Sequence, residues 1–287
     1  MSHLFCFGLG YSADVLARRL LSRGWTITGT ATRRSGAKDL RHRGYRGVLF
    51  DGNEASAEAR DALQRATHLM ISIPPGEQGD PALQLHGDDI AASPTLGWIG
   101  YFSTVGVYGD TGGDWVNEET LPAPGSPRAT RRLEAEQSWQ ALAAEAGKSA
   151  AIFRLPAIYG PGRSAIDDLL AGEARRIAKP GQVFNRIHVD DIATAVEAAI
   201  LKQATGIYNV SDDEPAPPQD VVVYAAELLG VPAPPEVDFD SAELSAMARS
   251  FYSENRRVAN GQMKSKLGVK LAFPTYRDGL KAIAKSL

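Results

Sequence analysis

An α/β fold, a doubly wound parallel sheet with helices on both faces and a smaller C-terminal lobe, is predicted by three features of the sequence. Short apolar runs alternate with amphipathic stretches through the first half of the chain. The first of these runs ends in a glycine-rich turn that opens a helix. A proline cluster at Pro215 to Pro218 then sets off the last part of the chain.

Taken in order, strands are expected at Leu4 to Gly8, Thr26 to Ala31, Gly47 to Phe50, His68 to Ile73, Trp98 to Ser103 and Ala150 to Leu155. Each is short and apolar, as strands covered on both faces should be. Between them, Ala13 to Arg23 puts Val15, Leu16, Arg19 and Leu20 at helical spacing, and Thr130 to Ala146 is rich in Ala, Glu, Leu and Arg. Both segments read as helices. Further proline and glycine clusters at Pro74 to Gly79, Pro122 to Pro127 and Gly160 to Gly162 read as loops at the edge of the core. The expected division is a dinucleotide-binding domain over 1–158, with 184–210 returning to it, and a smaller substrate-binding lobe from 159–183 and 211–287.

With 287 residues, 44% hydrophobic and 23% charged, the chain can bury a sizeable core as one large domain or as one domain with a smaller partner. A formal net charge of -3 leaves no basic footprint for nucleic acid, and no basic run is long enough for an anionic membrane. The single cysteine, Cys6, lies in the apolar run Leu4-Phe5-Cys6-Phe7, so no intramolecular disulfide is possible and a packing role is expected. No apolar window approaches a membrane span, and the chain opens directly into a strand-like segment, so a cytoplasmic setting is expected.

The turn Gly8-Leu9-Gly10-Tyr11-Ser12-Ala13 follows an apolar strand and opens an amphipathic helix, the context in which G-x-G-x-x-A binds a dinucleotide. Gly8 permits the tight turn, Gly10 lets backbone approach the pyrophosphate, and Ala13 lets the helix pack closely on the strand. The anion then meets free N–H groups at the helix start. This is the first βα unit of a Rossmann-type sheet. A site built for NAD usually carries an acid about 20 residues downstream to hold the ribose hydroxyls. Here the tip of the second strand reads Ala31-Thr32-Arg33-Arg34, with no acid and two guanidinium groups suited to a 2′-phosphate, so NADP is expected over NAD. The competing reading of Arg33 and Arg34 is a pair of solvated charges. Asp51, ending the third strand, faces the adenine or forms the loop before Gly52. Ser72, Ile73 and Pro74, at the end of the fourth strand, lie on the side where ligands meet such a sheet.

Three more segments carry a family resemblance: Phe102-Ser103-Thr104-Val105-Gly106-Val107-Tyr108-Gly109-Asp110, Tyr159-Gly160-Pro161-Gly162, and Arg186-Ile187-His188-Val189-Asp190-Asp191-Ile192-Ala193. With the glycine loop, and with Arg257 to Asn260, Lys266 to Gly268 and Tyr276 to Leu280 near the C-terminus, the chain resembles an extended short-chain dehydrogenase/reductase of the NAD-dependent epimerase/dehydratase family. The resemblance places the catalytic Ser or Thr at Thr104. It places the family's Tyr-x-x-x-Lys pair at Arg128 and Arg132, so both members are arginine here. The family's tyrosine exchanges a proton with substrate. Arginine cannot be deprotonated in that role, although Arg128 can polarise a carbonyl or hold an anion and Arg132 can stand in as a fixed positive charge near the nicotinamide ribose. Tyr108 is the nearest remaining phenol, and in the family pattern that position packs under the loop.

The same resemblance implies apolar contact of Pro156 and Ile158 with the nicotinamide, and an internal ion pair for Arg154. Arg163, after the Tyr159 to Gly162 turn, is a candidate substrate anchor, with Arg175 and Arg176 as helpers or as solvated charges. His188 beside Asp190 and Asp191 is a candidate substrate contact, although the resemblance favours a structural role in which the segment anchors the smaller lobe through buried hydrogen bonds; no third ligand accompanies it and no metal is expected. The implied partner is a small molecule, with nucleotide sugars as the family's default class, and the implied assembly is a homodimer or a monomer. Two functions fit: an NADP-dependent epimerase/dehydratase- or reductase-like enzyme with an altered site, or an NADP(H)-binding sensor without turnover.

Overall fold

A computed structural model describes residues 2–287. The chain begins with β1 (His3–Phe7), α1 (Tyr11–Ser22), β2 (Thr26–Ala31), α2 (Arg34–His42), β3 (Arg46–Leu49), α3 (Ala57–Leu63) and β4 (His68–Ile71). It continues through α4 (Pro81–Ala91), β5 (Trp98–Thr104), a 3-10 turn (Val105–Tyr108), β6 (Trp115–Val116), α5 (Pro127–Glu145) and β7 (Ser149–Leu155). After β8 (Ala157–Tyr159) come α6 (Ala165–Leu170), β9 (Arg176–Ala178), β10 (Arg186–His188), α7 (Val189–Leu201) and β11 (Gly206–Asn209). The C-terminal part holds α8 (Pro218–Leu229), β12 (Glu236–Asp238), α9 (Ala246–Phe251), β13 (Arg257–Val258), α10 (Gly261–Leu267) and α11 (Tyr276–Lys285).

Seven strands form one sheet in the order β11-β7-β5-β4-β1-β2-β3. Strand β1 pairs in parallel with β2 and β4, β2 with β3, and β4 with β5. This is the Rossmann-type arrangement, and its strand order reverses between β1 and β4. In such a sheet the ligand crevice lies beyond the carboxyl ends of the strands at that reversal. Strand side chains alternate between faces. Phe5 and Phe7 of β1, with Leu69 and Ile71 of β4 and Ile99 and Tyr101 of β5, are buried in one core cluster with Ala62 of α3, Ile90 of α4 and Trp139 of α5. Toward the other face, Arg19 of α1 donates to Thr194 of α7 at 2.9 Å.

The first compact unit comprises the chain up to Thr104, Pro127–Arg154 and Ile192–Tyr208. The second comprises Val105–Ser126, Leu155–Asp191 and Asn209–Leu287. Within the second, three short parallel pairs, β8 with β10, β9 with β12 and β6 with β13, accompany a cluster in which α6, α8 and α11 bury Ile166, Val221, Ala225, Leu280 and Ile283.

Where the elements depart from expectation, a local cause is visible. The fourth strand ends at Ile71 rather than Ile73, because Pro74 and Pro75 offer no N–H to a neighbour. The sequence reading passed over α3 and α4. Both carry start signals: Ser56 accepts from the N–H of Ala59, and Asp80 accepts from Ala82 and Leu83 with Pro81 as the first helical residue. At Gly47 a Cβ would run into the backbone carbonyl of Ala37, so α2 packs on β3 at a distance only glycine allows.

The first unit also contains a buried polar network. Glu136 of α5 and Arg154 of β7 are each 1% exposed. Arg154 Nη2 donates to Glu136 Oε2 at 2.7 Å and Nε donates to Oε1 at 3.1 Å. Ser103 of β5 donates its hydroxyl to the same carboxylate. One carboxylate thus joins β5, β7 and α5.

Two stability measurements check these readings by urea denaturation. Gly47→Ala should lower the unfolding free energy by about 1–3 kcal/mol through overpacking, and an unchanged midpoint would contradict the close approach of α2. Glu136→Ala should cost about 3–5 kcal/mol because it removes the carboxylate that pairs with the buried Arg154. A loss below about 1 kcal/mol would mean that the carboxylate does not neutralise Arg154.

Candidate functional site

In the first unit the glycine turn is built from the backbone of β1, β2 and β4. Gly8 lies at φ 81°, a conformation that costs L side chains free energy but not glycine, and an added Cβ there would stand 2.5 Å from Ile73 Cγ2. The N–H of Gly8 donates to Thr30 Oγ1 at 2.8 Å, and that of Leu9 to the Thr30 carbonyl at 3.2 Å. The turn is therefore held by the end of β2 and packed against Ile73 beyond β4.

Gly10 is the residue preceding α1, and no side chain caps that helix start. It is exposed, and a Cβ built on it meets no atom within 4 Å. Ser12 and Ala13 are buried and Tyr11 is half-buried. An uncapped helix of 12 residues presents N–H donors and the positive end of its dipole to whatever approaches Gly10, which is what a pyrophosphate requires. These residues fit a dinucleotide.

The other expected cofactor contacts of this unit divide. Thr32, Arg33 and Arg34 are all exposed, with Arg33 preceding α2 and Arg34 its first residue. Asp51 is exposed and accepts from the N–H of Asn53 at 3.0 Å, the loop-forming alternative, which also draws its carboxyl below the usual range. Ser72 donates its N–H to the Phe7 carbonyl at 2.9 Å, so this segment still follows β1 after the strand ends, and Ile73 is half-buried while Pro74 is exposed.

Thr104 closes β5 and is half-buried. The clamp beside it comes from α5. Arg132 Nη1 donates to the Phe102 carbonyl at 2.6 Å and to the Tyr101 hydroxyl at 3.2 Å, with its guanidinium carbon 5.7 Å from the Tyr101 ring centre. One turn later Glu136 takes the hydroxyl of Ser103. The three residues before Thr104 are thus fastened to one face of α5. Arg128, one turn before Arg132, is exposed. Glu136 and Ser103 were not singled out from the sequence. The signal was available in the four-residue spacing of Arg132 and Glu136, which puts both on one helix face.

In the second unit Tyr108 is 1% exposed and donates its hydroxyl to Asn209 Oδ1 at 2.8 Å. A buried phenol placed in this way packs under its loop. His188 is likewise 2% exposed. Its ring stands edge-on to Tyr159 at 5.2 Å and lies 3.9 Å from the Phe273 ring, while Nδ1 accepts from the N–H of Asp190 at 3.2 Å. That is a packed position, the structural role that the resemblance also implies for this segment. Asp191, fully buried, accepts from the N–H groups of Ala272 and Phe273.

Pro156 and Ile158 are half-buried, with Ile158 paired to Ile187 in the β8–β10 ladder. Arg163 is exposed and closes the Gly160 turn through its backbone. Arg175 donates to the Glu243 carbonyl and Arg176 pairs with Glu236, each at 2.7 Å, so both serve local structure. Among the described residues no group of three or more His, Cys, Asp and Glu side chains is placed to hold a metal ion.

Comparison with known proteins follows from this geometry. Residues 96–211 match the model of the NAD dependent epimerase/dehydratase family. Protein YeeZ of Escherichia coli is 30% identical over 245 residues, spanning 82% of this chain and 86% of that protein. The solved structure of a conserved protein of unknown function from Silicibacter pomeroyi is 48% identical, with a TM-score of 0.90 over 100% of this chain and 99% of that one. The dTDP-glucose 4,6-dehydratase of Bacillus anthracis shares the fold at 17% identity, with a TM-score of 0.78 over 99% of this chain and 96% of that one.

The expectation of NADP over NAD is corrected by these comparisons. That dehydratase is a complex with NAD, as are further nucleotide-sugar enzymes of the same fold. The physical reason lies in Arg33 and Arg34: exposed arginines at a helix start are well solvated without a ligand, and a missing acid removes one ribose contact without building a phosphate cage. By the match over residues 96–211 and the likeness to YeeZ over most of both chains, this protein belongs to the NAD dependent epimerase/dehydratase family.

Proposed function

We propose that the protein binds NAD at the Gly8 to Ala13 turn and acts as a reductase- or epimerase/dehydratase-like enzyme whose usual proton-transfer pair has been replaced by Arg128 and Arg132. The observation that carries the binding half is Gly10, exposed, with empty space where a side chain would stand, at the start of an uncapped helix. Bound NAD supplies the hydride acceptor and donor; the chain supplies binding, orientation and electrostatics. Gly8 and Gly10 to Ala13 take the pyrophosphate, and Ser72 to Pro74 border the same turn beyond β4.

Thr104 orients a substrate oxygen through its hydroxyl, held by the Arg132 and Glu136 clamp on the residues before it. Arg132 is in this reading a positioning residue, since one of its terminal nitrogens is already committed to the Phe102 carbonyl. Arg128, exposed, supplies positive charge to a developing oxyanion and leaves proton transfer to water or to the substrate itself. The second unit serves as the substrate lobe, with Pro156 and Ile158 as apolar lining and Arg163 as an anchor for an anionic group. The substrate is a small molecule; a nucleotide sugar is supported by what the dehydratase of the same fold acts on. The buried, reduced Cys6 suits a cytoplasmic setting, and a homodimer is the family's habit.

A second reading, dinucleotide binding without turnover, is favoured by one observation: the remaining phenol, Tyr108, spends its hydroxyl on Asn209.

Two experiments separate these readings. Gly10→Val adds a side chain where the protein has no atom, so it should keep the wild-type melting temperature and weaken NAD binding by at least about tenfold, or 1.4 kcal/mol, in calorimetric titration. Wild-type affinity in a folded Gly10→Val protein would remove the turn from the site. In a screen of nucleotide sugars and small carbonyl compounds followed at the nicotinamide absorbance, turnover should fall about 10²-fold in Arg128→Ala. Turnover unchanged by that substitution would remove Arg128 from the chemistry, and NAD binding with no turnover on any compound would favour the second reading.

A further inference from the structure

The second unit contains a cavity of about 190 Å³ that the residues discussed so far leave without a role. Tyr159, Val221, Tyr276 and Leu280 form its walls, and the half-buried Val222 lies at its rim. Tyr159 is held in place: its hydroxyl donates to the Thr275 carbonyl at 3.3 Å, and α11 passes so close that a Cβ on Gly279 would strike its ring. The walls are thus aromatic and aliphatic, and they are rigid.

Arg186 is the one charged group lining this space, and it is 9% exposed. Its Nη1 donates to the carbonyls of Phe184 at 2.9 Å and Ala216 at 3.1 Å, and its guanidinium carbon is 5.9 Å from the Tyr276 ring centre. Its Nε and Nη2 donate to no acceptor among the described residues. Buried charges are otherwise paired, because an unpaired one forfeits hydration without return. Asp212, 1% exposed, acts on Arg186 through its charge but does not come within salt-bridge distance of it. Asp212 Oδ1 accepts from the N–H of Glu214 at 3.2 Å, and Oδ2 is buried without a partner. Burial pushes this carboxyl up while the Arg186 charge draws it down, so the two groups act on each other through space and the Nε and Nη2 donors of Arg186 still hold no acceptor among the described residues.

We infer that this cavity is a binding site for a small monocarboxylate with a planar apolar body, its carboxylate on the free Nε and Nη2 of Arg186 and its body between Tyr159 and Tyr276. Arginine presents two parallel donors that match a carboxylate. A single guanidinium balances a monoanion, whereas a phosphate dianion would keep an uncompensated charge among apolar walls. The volume also lies below the roughly 300–1,000 Å³ of drug-sized sites, which suits a small ligand better than a nucleotide sugar. The inference stands on the second unit alone and is independent of NAD binding.

Benzoate is the probe, with benzamide as its neutral counterpart and inorganic phosphate as the bare anion, each titrated calorimetrically into the full-length protein without NAD. Benzoate should bind one to one, at least about tenfold tighter than benzamide or phosphate. Arg186→Gln should weaken benzoate about tenfold or more while leaving benzamide unchanged. Because that variant also loses two backbone contacts, Val222→Phe, which fills the cavity from its rim and keeps Arg186, supplies an independent arm and should abolish binding in a folded protein. No benzoate binding, equal affinity for benzamide, tighter binding of phosphate, or benzoate affinity unaffected by Val222→Phe would each overturn the inference.

Discussion

The carboxylate of Glu136 is the interaction on which the first unit's candidate site depends. It is buried between α5 and the sheet, accepts two donors from Arg154 and one from Ser103, and so fixes one helix against two strands. An isolated carboxylate in that position would be driven to protonate, and an isolated guanidinium would forfeit its hydration, so each is tolerated only because of the other. The consequence reaches the surface. The face of α5 that carries Glu136 also carries Arg132, whose bond to the Phe102 carbonyl sets the end of β5 and with it Thr104. A pair that contributes little to stability beyond a well-packed apolar substitute thereby specifies the position of a hydroxyl.

Arginines in this chain fall into groups that sequence does not separate. Arg154 is buried and neutralised, Arg132 is half-buried and tied to a carbonyl and a ring, and Arg33, Arg34 and Arg128 are exposed. Arg186 is buried without a carboxylate partner. The same side chain is structural, positioning, solvated or ligand-seeking according to how much of its hydration has been removed and what has replaced it. Arg33 and Arg34 are exposed and keep their hydration in the protein alone.

The fold was legible because its signals are local. Apolar runs such as Leu4 to Phe7 and Trp98 to Ser103, and the glycine turn at the end of the first of them, mark strands and a helix start without any tertiary information. Strand ends were less so: the fourth stops at Ile71 because the prolines that follow cannot donate. Short helices such as Ala57–Leu63 escaped the reading because seven residues hold too few turns to display a period, although Ser56 announces the start. In the site, Gly8 and Gly10 were visible as residue types that backbone geometry demands, and Arg154 was expected to form an internal ion pair. Ser103, Glu136 and the Arg186 cavity were not visible, since each depends on groups that meet only in the folded chain. Tyr108 and His188 carry chemical side chains at positions where the family pattern favours packing, and in the structure they are packed, with polar atoms bonded to Asn209 and to the backbone of Asp190.

NAD binding at the start of α1 is the claim on which the functional account rests, and a crystal structure of the protein grown with saturating NAD tests it most directly. The account predicts pyrophosphate density beside Gly10 and against the N–H groups of Ser12 and Ala13, with the chain passing Gly8 unchanged. NAD bound elsewhere on the protein, or a turn left empty at concentrations that saturate binding in solution, would contradict it.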